Sequence, residues 1–78
     1  MEKGTVVKSL AGRDKGKLLA VMQSSEGSVL VCDGKERPLD RPKSKNIRHV
    51  ECVGFSVTEN DMRTDRALRK ALRQLMQS

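Results

Sequence analysis

Gly4-Thr5-Val6-Val7-Lys8-Ser9-Leu10-Ala11-Gly12-Arg13-Asp14-Lys15-Gly16-Lys17-Leu18-Leu19-Ala20-Val21-Met22-Gln23 is two short apolar segments held apart by a charged loop. The first segment is rich in β-branched residues and alternates imperfectly, which predicts a strand. Its successor, residues 11–17, carries two glycines able to supply positive φ, so it predicts a loop. Leu18 to Gln23 is apolar and short, and Ser24-Ser25-Glu26-Gly27 ends it, so a second strand is expected. Ser28-Val29-Leu30-Val31-Cys32 completes a hairpin with it.

Working outward, Asp33-Gly34 is a two-residue turn signal, since both positions tolerate positive φ. Lys35 to Leu39 follows as a short fourth strand that Pro38 confines to an edge. Asp40-Arg41-Pro42-Lys43-Ser44-Lys45-Asn46 reads as a basic loop, and Ile47 to Val53 as a fifth strand closed by Gly54. Strands this short, regularly spaced and separated by turns predict a small barrel or sandwich. From Thr64 the period changes. Ala67, Leu68, Ala71, Leu72, Leu75 and Met76 form one stripe of an α-helix, with Arg66, Arg69, Lys70 and Arg73 on its other faces. Thr64 is the expected N-cap, and Thr58 with Asp61 is a competing earlier start. The stripe predicts a helix that covers the end of the barrel; the alternative is an interaction helix that folds on a partner.

Seventy-eight residues leave room for one domain with a small core. That core must come from Val, Leu, Ala, Ile and Met, because Phe55 is the single aromatic residue. The longest apolar run, Leu18 to Met22, is far too short to span a bilayer. Residues 1–6 read straight into a strand without a basic-then-apolar leader, so the cytoplasm is the expected location. Cys32 and Cys52 stand 20 residues apart, without a CxxC pair and with His49 as the lone histidine. That set is too small and wrongly spaced for a structural metal site, so no metal or other cofactor is expected. A buried small hydrophobe is the expected role of such cysteines, and a disulfide is not expected. Nothing beside His49 reads as a nucleophile with its base, and Gly12 to Lys17 lacks the spacing of a phosphate-cradling P-loop. An enzyme is therefore not expected.

Charge is more informative. Sixteen basic against ten acidic residues leave a net +6 and a pI near 9.8, which points to a polyanionic partner. The excess is localised: residues 1–17 carry +3, 35–48 carry +4 and 61–78 carry +3, whereas 18–34 and 49–60 hold only acids. One basic face and one neutral or acidic face should result. Arg and Lys beside loop glycines can grip phosphates, with Arg adding bidentate geometry. Phe55 alone cannot make the aromatic platform that binds single strands, so recognition of folded RNA by shape and phosphate position is the better expectation.

Residues 4–17 resemble a KOW motif, a hydrophobic strand followed by a Gly-basic-Asp-Lys-Gly-Lys loop and a second apolar strand. The continuation is similar to the archaeal and eukaryotic large-subunit ribosomal proteins of the fourteen-e type. It shares a Val-rich hairpin leading to Asp33-Gly34, and a basic stretch ending in Asn46-Ile47-Arg48-His49-Val50. The likeness covers residues 4 to 53. Many KOW motifs have a further glycine where this chain has Leu18-Leu19, and the long basic extensions of ribosomal proteins are missing. The resemblance implies a five-stranded SH3-like (KOW) barrel, expected over residues 1–55; with the linker 56–63 and the basic amphipathic helix 64–77 read from periodicity, a mostly β chain is expected. The resemblance also implies binding to ribosomal RNA or the ribosome, with Gly16 at the tight turn and Arg48 and His49 on a strand element facing RNA. The candidate RNA-binding set is Lys8, Arg13, Lys15, Gly16, Lys17, Arg37, Arg41, Lys43, Lys45, Arg48 and His49. The competing expectation is a module docking on ribosomal or transcription proteins through exposed apolar residues such as Leu39, Met62 or Met76. A monomer is expected in either case.

Overall fold

A computed structural model describes residues 1–77, with only the backbone of Gln77. Five strands, β1 (Thr5–Ser9), β2 (Leu18–Ser25), β3 (Ser28–Cys32), β4 (Lys43–Asn46) and β5 (Val50–Ser56), precede one α-helix, α1 (Asp65–Gln77). They form a single antiparallel sheet in the order β4-β3-β2-β1-β5. The mostly β architecture with a C-terminal helix agrees with the sequence expectation.

Register sorts the apolar side chains onto two faces. Val6 lies opposite Ala20, and Ala20 opposite Cys32; all three are fully buried beneath Leu68 and Leu72 of α1. On the other face, Val7 opposes Leu19 and Val21 opposes Val31; these cluster with Val29 and Val50. No helix contributes to this second cluster, yet Val7, Leu19, Val21 and Val31 are 0% exposed. The sheet must therefore curl, bringing Val50 of β5 to the valines of β3. Two irregularities permit the bend. Met22 has no partner between the Val21–Val31 and Gln23–Leu30 pairs, and Val53-Gly54-Phe55 bulge out opposite Val6.

α1 begins where Thr64 Oγ1 accepts a hydrogen bond from Ala67 N at 3.1 Å, as an N-cap should. Thr58 and Asp61 cap an earlier, separate turn: Asp61 Oδ2 accepts from Thr58 N (2.9 Å) and Thr58 Oγ1 from Asp61 N (3.1 Å). That turn delivers Met62 to the helix-side core, so the segment expected to be a linker is part of the packing. Of the helical stripe, Leu68 and Leu72 are buried, each contributing about 1.5–3 kcal/mol. Met76 departs from the stripe and is 64% exposed.

The second half of the sheet differs from expectation. Residues 35–39 are not a strand, because Asp33 Oδ1 accepts from the backbone N–H of both Lys35 (2.8 Å) and Arg37 (2.9 Å) and folds them into a turn. The fourth strand lies instead at Lys43–Asn46, within the stretch expected to be a loop, and is bonded to β3 alone. The expected fifth strand starts three residues late. Asn46 Oδ1 accepts from Arg48 N at 2.8 Å and turns Ile47–His49 into a 3-10 helix.

The β3–β4 connection comes close to the first turn of α1 at Gly34. Its φ is +79°, and a Cβ there would collide with the carbonyl oxygen of Asp65. Asp65 Oδ1 also accepts from Leu39 N at 2.7 Å, tying the β3–β4 connection to the first turn of α1. Gly34→Ala should therefore cost more than Gly16→Ala, whose φ is +88° with nothing within 4 Å of an added Cβ. Both carry about 1–3 kcal/mol of backbone strain, and only Gly34→Ala must also push the helix away. Urea denaturation of the two variants checks this; equal losses would mean that the contact with Asp65 is loose.

Candidate nucleic-acid interface

The β1–β2 loop is a fixed structure. Gly16 N donates to Ser9 O (2.8 Å) and Ser9 N to Lys17 O (3.0 Å), closing its neck. Lys15 N donates to Gly12 O (3.2 Å) and Lys17 N to Asp14 O (2.9 Å) within it. Gly16 takes the positive φ that this turn demands.

Beneath the loop lies a buried ion pair. Lys45 opposes Val29 in register and so points to the inside of the curl, where its side chain is 6% exposed. Its Nζ lies 3.0 Å from Asp14 Oδ1 and donates to Ala11 O at 2.9 Å. Ser9 Oγ, on the same inner face, lies 2.8 Å from Asp14 Oδ1 and 2.9 Å from Ala11 O. Burial pushes the Asp14 carboxyl upward, but the hydrogen bonds from Lys45 and Ser9 and the Lys45 charge outweigh it, so it titrates below its ordinary 3.8. Lys45 is thereby corrected: expected among the displayed RNA-binding cations, it is an internal tie between β4 and the loop.

Around this tie the fold gathers exposed cations and the half-buried Lys43. A depression of about 170 Å³ brings Arg13 and Asp14 of the loop to Asp33, Glu36 and Arg37 of the β3–β4 connection and to Lys43 of β4. An adjoining groove of about 220 Å³ shares Asp33 and sets Lys17 and Lys35 against Arg69 and Arg73 of α1, over Leu18, Leu72 and Met76. The outer helix face continues with Arg66 and Lys70, which join Arg69 and Arg73 at i, i+3, i+4 and i+7. The result is one band of cations from Arg13 to Lys70, with Asp14, Asp33 and Glu36 interspersed among them. Among the described residues, Lys17–Glu36 at 3.4 Å is its only ion pair, and that pair is exposed and weak.

The remaining sequence candidates lie off these depressions. Lys15 is displayed on the loop. Arg41 is in the turn whose amide donates to Pro38 O (2.9 Å). Lys8 is exposed on β1 opposite Leu18 and Glu51. Arg48 and His49 are exposed beyond the far end of β4, on a 3-10 turn anchored by Ile47 N to Gly27 O and Leu10 N to His49 O. Conversely, Lys35, Arg66, Arg69, Lys70 and Arg73 were not among the candidates. The signal of the four helix residues was their basic i, i+3, i+4, i+7 spacing; Lys35, in the β3–β4 connection, had none.

Of the apolar candidates for protein docking, Met62 is buried and Leu39 is half-buried against the helix-side core, which leaves Met76 exposed. Both thiols are free; burial, then the charges of Asp33 and Asp65, push the Cys32 thiol to about 11, whereas Cys52 is exposed. Among the described residues no three His, Cys, Asp or Glu side chains gather as a metal site would need, and no helix is long and apolar enough to cross a membrane. Comparison of the chain with protein-family models and with curated proteins gives no match.

Removing Asp14 alone would strand the Lys45 ammonium, so Asp14→Ala should lose about 3–5 kcal/mol in urea titrations. The double variant Asp14→Leu/Lys45→Met should regain most of that. Because the folded Asp14 titrates below 3.8, the pair's stabilisation is complete above that pH and is lost as pH falls through the folded value. The double variant should consequently show a shallower acid loss than the wild type below about pH 4. Identical acid profiles would show that the pair does not couple to folding.

Proposed function

We propose that this chain is a non-catalytic RNA-binding module that holds the phosphate backbone of structured RNA, with ribosomal RNA or the ribosome as the foremost partner. It acts in the cytoplasm, as a monomer and without a cofactor. The observation that carries this reading is the band itself. Cations remote in sequence converge on one side of the molecule, with a single weak ion pair among them. Self-association or solubility would be served as well by scattered charge; a phosphate backbone is served by a continuous row. The resemblance of residues 4–17 to a KOW motif, and of the continuation as far as residue 53 to ribosomal proteins of the fourteen-e type, supports the same partner. So does the position of Phe55, which lies off the band beside Asp61, Gln74 and Leu75 and leaves the band without an aromatic stacking platform. In the alternative reading a protein partner would dock on the exposed apolar side chains, of which Met76 and then Phe55 are the most exposed among the described residues.

Binding to purified ribosomal RNA should fall by roughly three decades or more between 50 and 200 mM salt if about six phosphates are contacted. Arg13→Gln/Arg37→Gln/Lys43→Gln, which leaves the Asp14–Lys45 tie in place, should weaken binding and reduce the slope of log affinity against log salt by about three. Binding that ignores salt and the triple substitution would overturn the reading in favour of a protein partner.

A further inference from the structure

The groove between the β3–β4 connection and α1 differs in kind from the rest of the band. Elsewhere the cations surround polar surface. Here Lys17, Lys35, Arg69 and Arg73 surround an apolar floor of Leu18, Leu72 and Met76. Met76 is the most exposed large apolar residue of the chain, and it stands among four cations instead of in the core that its place in the helical stripe predicts. The one carboxylate lining the groove, Asp33, has an oxygen taken up by the amides of Lys35 and Arg37. Lys35, Arg69 and Arg73 make no ion pair among the described residues.

A continuous duplex backbone has no use for this floor, because it presents only phosphate and sugar to a protein surface. An unpaired nucleotide fits both parts. Its flat base can lie on apolar side chains and against a guanidinium plane, while its phosphates meet the surrounding ammonium and guanidinium groups. The thioether of Met76 is suited to such a contact, being polarisable and able to adapt to the ring. Rigidity argues the same way. Gly34 packs against the Asp65 carbonyl and the Arg69 side chain, so the two walls of the groove are held at a set spacing. We propose that this groove is the binding site for a single unpaired nucleotide, so that the preferred partner is a helical RNA stem interrupted by an extruded base. This deepens, and rests on, the RNA-binding reading.

Three labelled RNA hairpins test it at one salt concentration: a fully paired stem, the same stem with one bulged adenosine, and the same stem with an abasic site at the bulge. The bulged stem should bind about tenfold more tightly than the paired one, the size expected for one stacked base. The abasic bulge should bind like the paired stem, and Met76→Ala should bring the bulged-to-paired ratio towards one. Equal affinity for all three RNAs would overturn the site and leave the RNA reading standing. An abasic bulge that binds as tightly as the adenosine bulge would also overturn it, since flexibility of the stem would then explain the preference. Failure to bind any of the three would overturn the RNA reading, and the site with it.

Discussion

A charged side chain inside a core of Val and Leu is costly unless a counter-charge meets it there, and Lys45 is such a side chain. Its position in β4 aims it inward, and Asp14 reaches in from the β1–β2 loop to meet it. One contact therefore joins an edge strand to the charged β1–β2 loop. Without it, β4 would have little to hold it, since it carries no apolar residue and bonds to β3 alone. The loop would likewise lose its floor, because Ala11, Asp14 and Ser9 all converge on that ammonium or its partner. Such a pair need not add net stability compared with an apolar replacement. Its effect here is specificity: it defines which way β4 faces and where Arg13 and Lys43 stand relative to each other.

A second contact does the same for the helix. Gly34 and Asp65 bring the β3–β4 connection against the first turn of α1, so that Lys35 and Arg37 on one side and Arg69 and Arg73 on the other belong to one surface. The apolar stripe alone sets which face of the helix meets the sheet but not the angle at which the helix crosses it. The close approach at a residue lacking Cβ supplies that constraint. Cations drawn from a loop, a turn and a helix can thus act as a unit, each held by backbone that is itself hydrogen-bonded.

Where apolar periodicity was present, the fold could be read from the residues. Val6 and Val7, Leu19 to Val21, Val29 and Val31, and the Leu68–Leu72 stripe all lie in elements of the expected type, and Thr64 caps the helix as its side chain suggests. The reading failed where polar side chains decided the backbone. Asp33 folds Lys35 to Arg37 into a turn, and Asn46 winds Ile47 to His49, yet both stretches look strand-like by composition. β4 was hidden because Lys43-Ser44-Lys45-Asn46 has no apolar alternation, its inward residue being a lysine. Site residues followed the same division. Arg13, Arg37 and Lys43 line one depression and Lys17 the adjoining groove, whereas Lys45 is withdrawn and the helix cations are added. No spacing along the chain says that residue 34 meets residue 65.

The central claim is that an internally tied loop and a docked helix present one continuous surface to RNA. Backbone amide shifts of the isotopically labelled protein, followed as a structured RNA is titrated in, test it most directly. The account predicts that the large changes fall together on residues 13–17, 35–37 and 43 and on Arg66, Arg69, Lys70, Arg73 and Met76 of α1, leaving the hairpin tip at 24–27 and Phe55 to Val57 unmoved. Changes concentrated on the hairpin tip or around Phe55, with the loop and helix unaffected, would contradict it.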